Sequence, residues 1–93
     1  TPTQWTAENF PNPFNSETSV IYHIRRAGTI RLEVFDINGQ LIRSLAQGYH
    51  EPGRYRIAWD GRSNDGLTVS SGVYLAVLES KTTAVTRKMV LIK

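Results

Sequence analysis

The sequence predicts an all-β fold, an antiparallel sandwich of about seven short strands. Three observations carry that prediction. Apolar and polar residues alternate with period two in several short stretches, as half-buried strands require. Clusters of Gly, Pro, Asn, Asp and Ser punctuate those stretches at regular intervals. No stretch sustains the 3.6-residue periodicity of an amphipathic helix.

Taken in order, Thr18–Ile24 sets Val20, Tyr22 and Ile24 against Ile21 and His23. Thr29–Asp36 alternates more cleanly, with Ile30, Leu32 and Val34 opposite Arg31 and Glu33. Asn38-Gly39 follows, and both residue types tolerate positive φ, so a type I′ hairpin turn is expected. In Leu41–Gln47, Ile42 and Leu45 differ in parity, which predicts a β-bulge or a choice of registers. After Glu51-Pro52-Gly53, the strand Arg54–Asp60 places Tyr55, Ile57 and Trp59 on one face, expected to be the core side. Asp60–Gly66 is a polar loop. Gly72–Ser80 is apolar on both parities, so it is expected near a sheet centre, covered on both faces. Thr83–Lys93 supplies a last strand.

The first sixteen residues differ in kind. They hold three of the four prolines, and a proline lacks the donor a central strand needs. Residues 1–16 are therefore expected to be a lead segment that docks through Phe10 and Phe14 onto a sandwich at 17–93. The chain begins with Thr rather than Met, as a piece of a larger, processed parent would.

Composition narrows the function. The chain has 93 residues, 40% hydrophobic and 20% charged, with a formal net charge of +3. That size supports one domain with one modest core. No apolar run approaches the roughly 18 residues of a membrane span. With no cysteine there is no disulfide framework, thiol nucleophile or cysteine metal site. Lys81, Arg87, Lys88 and Lys93 make the last stretch basic; such a tail can attract phosphate or anionic lipid, or simply protect edge strands from pairing. No basic–aromatic motif of a nucleic-acid reader is present.

Nothing composes an active site. His23 and His50 sit in no catalytic or ligand spacing, and His23 is expected at a surface or rim. Ser70-Ser71-Gly72 lacks the strained elbow that exposes a nucleophilic serine. The expectation is a non-enzyme without cofactors. The loop Asp60-Gly61-Arg62-Ser63-Asn64-Asp65-Gly66 fails the helix–loop–helix calcium pattern, since Arg62 takes a ligand position and Asp65 replaces the glycine. Asp60, Asn64 and Asp65 stay as calcium candidates in some other geometry, beside the simpler reading as a turn. Trp5, Tyr49, Tyr55, Trp59 and Tyr74 could stack on sugars, although Tyr55 and Trp59 share the expected core face with Ile57.

Five ordered pieces go further: Pro11-Asn12-Pro13-Phe14-Asn15 with Thr18-Ser19-Val20-Ile21-Tyr22 after it; Val34-Phe35-Asp36-Ile37-Asn38-Gly39; Ile57-Ala58-Trp59-Asp60-Gly61; Ser71-Gly72-Val73-Tyr74; and Lys88-Met89-Val90-Leu91-Ile92-Lys93. Together they make the run from Phe10 to Lys93 resemble the type A C-terminal sorting domains of the type IX (Por) secretion system, themselves similar to the immunoglobulin-like domain of the flagellar hook-capping protein. Arg25-Arg26 departs from that pattern, which usually has an apolar residue and a proline there.

The resemblance implies an immunoglobulin-like sandwich in which Asn12, Pro13, Phe14, Gly39, Trp59, Asp60 and Gly61 are structural motif positions. It implies a non-catalytic domain that follows a secreted cargo, often a glycoside hydrolase or peptidase on its N-terminal side, across a Gram-negative outer membrane to the surface or medium. Implied partners are the secretion machinery and a surface sortase-like peptidase, with the cargo attached to lipopolysaccharide after cleavage. Gly72, Tyr74, Lys88 and Lys93 are the candidates for recognition, against structural roles as turn, core and edge protection. The alternative is an accessory module binding polysaccharide or a neighbouring domain. A hook-cap fragment fits the fold but not the terminal Lys-Met strand.

Overall fold

A computed structural model describes residues 6–93; Trp5, one of the candidate sugar-stacking rings, lies outside them. Seven strands run in chain order: β1 (Thr6–Phe10), β2 (Thr18–Ile24), β3 (Gly28–Asp36), β4 (Leu41–His50), β5 (Gly53–Trp59), β6 (Gly72–Glu79) and β7 (Ala84–Leu91). They form two sheets of order β1-β2-β5 and β4-β3-β6-β7. Every strand pair is antiparallel. This is the antiparallel sandwich that the alternating pattern predicts.

The two inner faces share one core. β2 contributes Val20, Tyr22 and Ile24; β3, Ile30, Leu32 and Val34; β6, Tyr74, Ala76 and Leu78; β7, Met89 and Leu91; and β5, Trp59. Each set obeys the period-two rule, so the pleat alone sends these side chains inward. On the outer face of the larger sheet, Arg31 lies opposite Glu79 and donates to it at 2.8 Å.

Four local expectations meet a specific outcome. The parity change in β4 marks two bulges, not one: Ala46 pairs with Leu32 and Ser44 with Glu33, which leaves Leu45 over, and Arg43 with Val34 and Leu41 with Phe35, which leaves Ile42 over. Both surplus residues turn toward the core and are half-buried against it.

The Asn38-Gly39 turn is not type I′. That turn needs positive φ at both central residues, but Gly39 has φ 83° while no described non-glycine residue has positive φ. The Gly39 N–H donates to the Asp36 carbonyl at 3.0 Å. The loop is a turn centred on Ile37 and Asn38, with glycine in the left-handed position after it. Asp36 selects it: its Oδ1 accepts the N–H groups of Asn38 and Gln40 at 2.9 and 3.0 Å.

β6 is central in its sheet, with Tyr74, Ala76 and Leu78 buried. Val73, Leu75 and Val77 on the other face are only half-buried, so the double-sided apolar pattern does not reflect cover on both faces. Lastly, the lead contains a strand. β1 pairs with β2 from Thr6↔His23 to Phe10↔Ser19 and buries Ala7. Prolines 11 and 13 lie just beyond it, each after a cis peptide bond. Phe14 is buried as expected, but Phe10 is 73% exposed and does not dock.

Candidate functional site

The motif residues converge on the side of the sandwich where β1 meets β7. Residues 11–14 lie along the outer edge of β7 and satisfy its backbone. The Asn12 side chain imitates a neighbouring strand: its Nδ2–H donates to the Lys88 carbonyl at 3.1 Å, and its Oδ1 accepts the Val90 N–H at 2.9 Å. Phe14 continues with its backbone, its N–H donating to the Val90 carbonyl at 2.9 Å and its carbonyl accepting the Ile92 N–H at 2.8 Å. The result is a parallel bridge between Phe14 and Leu91. An open strand edge invites unwanted pairing, and here one short motif closes it. Thr18 anchors the motif from behind, its buried hydroxyl donating to the Pro11 carbonyl at 2.7 Å and accepting Asn9 Nδ2–H at 3.2 Å.

Beneath this seam sits an aromatic cluster. Trp59 is fully buried, with its ring centroid 5.6 Å from Phe14 and 5.5 Å from Tyr74. Tilted and edge-on pairs at such distances are favourable beyond the area they bury. The indole N–H donates to the Arg62 carbonyl at 2.9 Å, so the polar atom of the ring is satisfied and the Trp-Asp-Gly corner is fixed. Asp60 then sits between two guanidinium groups: Arg43 Nη1 lies 3.3 Å from Oδ1, and Arg62 Nε 3.9 Å from Oδ2. The Val69 N–H donates to the Gly61 carbonyl at 3.0 Å and closes the corner.

The calcium candidates do three different jobs. Asp60 faces Arg43 and Arg62, where a cation would meet positive charge. Asn64 caps the edge of β4, its N–H donating to the Ile42 carbonyl at 2.8 Å and its Oδ1 accepting the Ser44 N–H at 3.0 Å. Asp65 is exposed, with its N–H donating to Ser63 Oγ at 3.3 Å. No group of three or more acidic or histidine residues among those described is placed to hold a metal.

The recognition candidates separate as well. Tyr74 is 6% exposed, and its hydroxyl donates to the Ser70 carbonyl at 2.6 Å. That bond, from a strand-start tyrosine to the backbone a few residues upstream, has the form of a tyrosine corner. Tyr74 therefore faces the core. Gly72 has φ 155°, a conformation L residues rarely adopt, so the backbone itself requires glycine there. Lys88 and Lys93 are exposed; Lys88 also lends its carbonyl to Asn12, and the Lys93 N–H donates to Ser71 Oγ at 2.9 Å.

No aromatic platform forms among the described residues. Trp59 and Tyr74 are interior, and Tyr49 is 64% exposed with no aromatic neighbour. Tyr55 instead stacks on Tyr22, with centroids 5.4 Å apart, and meets the edge of His50 at 4.7 Å. His50 Nδ1 lies 3.1 Å from the Gly48 carbonyl and so carries the hydrogen, which leaves Nε2 to accept the Tyr22 hydroxyl at 3.1 Å. Burial first, and the nearby Tyr55 second, push the Tyr22 hydroxyl pKa above its ordinary value. Sequence reasoning assigned His50 no role; its ring is a structural link at this end of the core.

Three solved structures share the architecture. The chain superposes on latent PorU from Porphyromonas gingivalis with a TM-score of 0.72 at 21% identity, over 95% of this chain and 9% of that one. PorZ from the same organism, described as an essential surface component of its type IX secretion system, gives 0.57 at 20%, over 94% and 11%. FlgD from Xanthomonas campestris, whose structure bears on hook capping in flagellar assembly, gives 0.56 at 19%, over 92% and 60%. The chain thus spans about a tenth of the two Porphyromonas proteins. No curated protein matches it. The model of the FlgD Ig-like domain family matches residues 15–84, from just after the Asn12 cap to the start of β7, and the chain belongs to that family.

Proposed function

We propose that this domain is a non-catalytic sorting and cell-surface attachment module of a larger secreted protein, recognised in its folded form by a type IX secretion machinery. The observation that carries the reading is the seam between the lead motif and β7. Asn12, Phe14, Lys88 and Val90 are joined there by hydrogen bonds, and these are the motif pieces that fall outside the matched span of the FlgD Ig-like family. Likeness in fold to segments of PorU and PorZ supports the same direction. Exposed Lys88 and Lys93, with the surface around Gly72, are the recognised region; Tyr74 supports it from inside. On this reading the parent is exported across the outer membrane, and a surface sortase-like peptidase separates it from the domain and joins it to lipopolysaccharide. The sugar-binding alternative has less support among the described residues, where Trp59 and Tyr74 are buried, Tyr55 is half-buried against Tyr22 and His50, and Tyr49 stands alone.

The test is a transplant. Residues 1–93 are fused after a periplasm-directed fluorescent reporter, in a host with a working type IX system and in a secretion-defective strain. Export to the surface or medium that requires the system, and falls with Lys88→Glu/Lys93→Glu while the domain stays folded, is the expected result. Reporter trapped in the periplasm of both strains would refute sorting.

A further inference from the structure

The four edges of the two sheets are not treated alike. The edge of β7 is closed by residues 11–14, and β1 lies beside it. On the opposite side, Asn64 caps β4 at Ile42 and Ser44. β5 ends its sheet beyond β2, and among the described residues no turn, loop or side chain hydrogen-bonds to the main chain of Arg54–Ala58. A strand of seven residues therefore presents one row of backbone donors and acceptors outward.

The side chains along this edge are patterned. Arg54 and Arg56 are exposed on the outer face, and Tyr55 and Ile57 are half-buried on the inner one. Ile42 and Leu45, the surplus bulge residues of β4, are half-buried against the same core as Tyr55 and Ile57. Elsewhere Arg31, Arg43 and Arg62 each meet a carboxylate. Among the described residues Arg54 meets none, and Arg56 reaches only the Ser19 hydroxyl, at 3.2 Å. Arg26, in the neighbouring β2–β3 turn, is likewise exposed without a carboxylate. By register Glu8 lies beyond Ile21 from Arg56, and among the described residues neither it nor Glu51 forms an ion pair with these arginines.

We propose that the outer edge of β5 accepts, as an added strand, an extended segment of another protein in which acidic and apolar residues alternate. The backbone ladder would provide affinity. Carboxylates on one face would meet Arg54 and Arg56, and apolar side chains on the other would continue the half-buried inner face of Tyr55 and Ile57. Charge chooses the occupant. A second copy of this chain, paired β5 to β5, would set arginines against arginines, which is destabilising. The competing role of Arg54 and Arg56 is protection of the edge from all pairing. This inference is independent of the sorting function.

The experiment uses the 93-residue chain and fluorescein-labelled peptides the length of β5, read by anisotropy. One peptide alternates glutamate and valine, and the other lysine and valine. The glutamate peptide is expected to bind, to lose about tenfold or more in affinity to the Arg54→Glu/Arg56→Glu variant, and to be replaced there by the lysine peptide. Methylating alternate peptide amides should abolish binding in one register and spare it in the other, because only every second N–H faces the domain. No binding by the glutamate peptide would overturn the proposal. So would binding that ignores amide methylation in both registers, or equal binding of soluble polyphosphate with the same charge dependence, since each would reduce the edge to a nonspecific cationic surface.

Discussion

Replacing Asn12 by alanine isolates the contribution of a side chain that acts as a strand. Two hydrogen bonds are lost, at 3.1 Å to the Lys88 carbonyl and 2.9 Å from the Val90 N–H. Each has a net value of about 0.5–1.5 kcal/mol. Both lie at an exposed rim, where water can re-satisfy the freed groups, so the lower half of the range applies to each and the sum is about 1–2 kcal/mol. For a domain of this size 1 kcal/mol corresponds to about 4–8 °C in Tm, so a fall of roughly 4–16 °C is expected. Urea unfolding followed by tryptophan fluorescence measures it, and amide exchange at Val90 localises it. Asn12→Asp keeps the acceptor for Val90 but sets a carboxylate against the Lys88 carbonyl, and should recover little. Asn15→Ala, an exposed neighbour with no hydrogen bond, should change stability by less than about 0.5 kcal/mol. Equal effects at Asn12 and Asn15, or unchanged exchange at Val90, would refute the account of the cap.

Other outcomes follow from the same structure. Trp59→Ala should cost about 3–5 kcal/mol, readable as a shifted urea midpoint; a much smaller loss would mean the ring is not core. Gly72→Ala should cost about 1–2 kcal/mol through the backbone alone, because the added methyl meets nothing within 4 Å; Gly28→Ala, equally open but without a positive φ, should be near neutral by the same unfolding assay. The pKa of Tyr22 is raised in the fold, so the native state holds its proton longer than the unfolded chain does. Its contribution is fully present below the unfolded value of about 10 and is lost as pH rises through the folded value. Tyr22→Phe should therefore flatten the alkaline fall in unfolding free energy above about pH 10, while lowering stability near neutrality by about 1 kcal/mol through loss of the His50 bond. An alkaline slope identical in both proteins would rule out that assignment.

Much of the sandwich is legible locally because the pleat converts sequence parity directly into burial. Val20, Tyr22 and Ile24, or Ile30, Leu32 and Val34, need no partner to reveal which face is inward, and Ile42 with Leu45 betray the bulges by breaking that parity. What escapes is whatever depends on a residue outside the pattern. The Asp36 side chain changed the hairpin turn that Asn38-Gly39 suggests. Two prolines hid a strand that ends just before them. Val73, Leu75 and Val77 look like interior residues but lie on an uncovered face. The seam between the lead motif and β7 is the extreme case: Asn12 and Val90 are 78 positions apart, and no periodicity links an asparagine amide to a strand edge at that distance. The resemblance marked both as motif positions without showing that they touch.

The parallel bridge between Phe14 and Leu91 has a mechanical consequence. Tension applied through the two ends of the described chain pulls the lead and β7 in opposite directions along their common axis. The bonds from Phe14 to Val90 and Ile92, and those of Asn12, then lie across the pull and are loaded together in shear, where a hairpin would peel open one bond at a time. A small domain of modest thermodynamic stability can in this way be stiff toward stretching, since forced unfolding is governed by the barrier and not by the equilibrium.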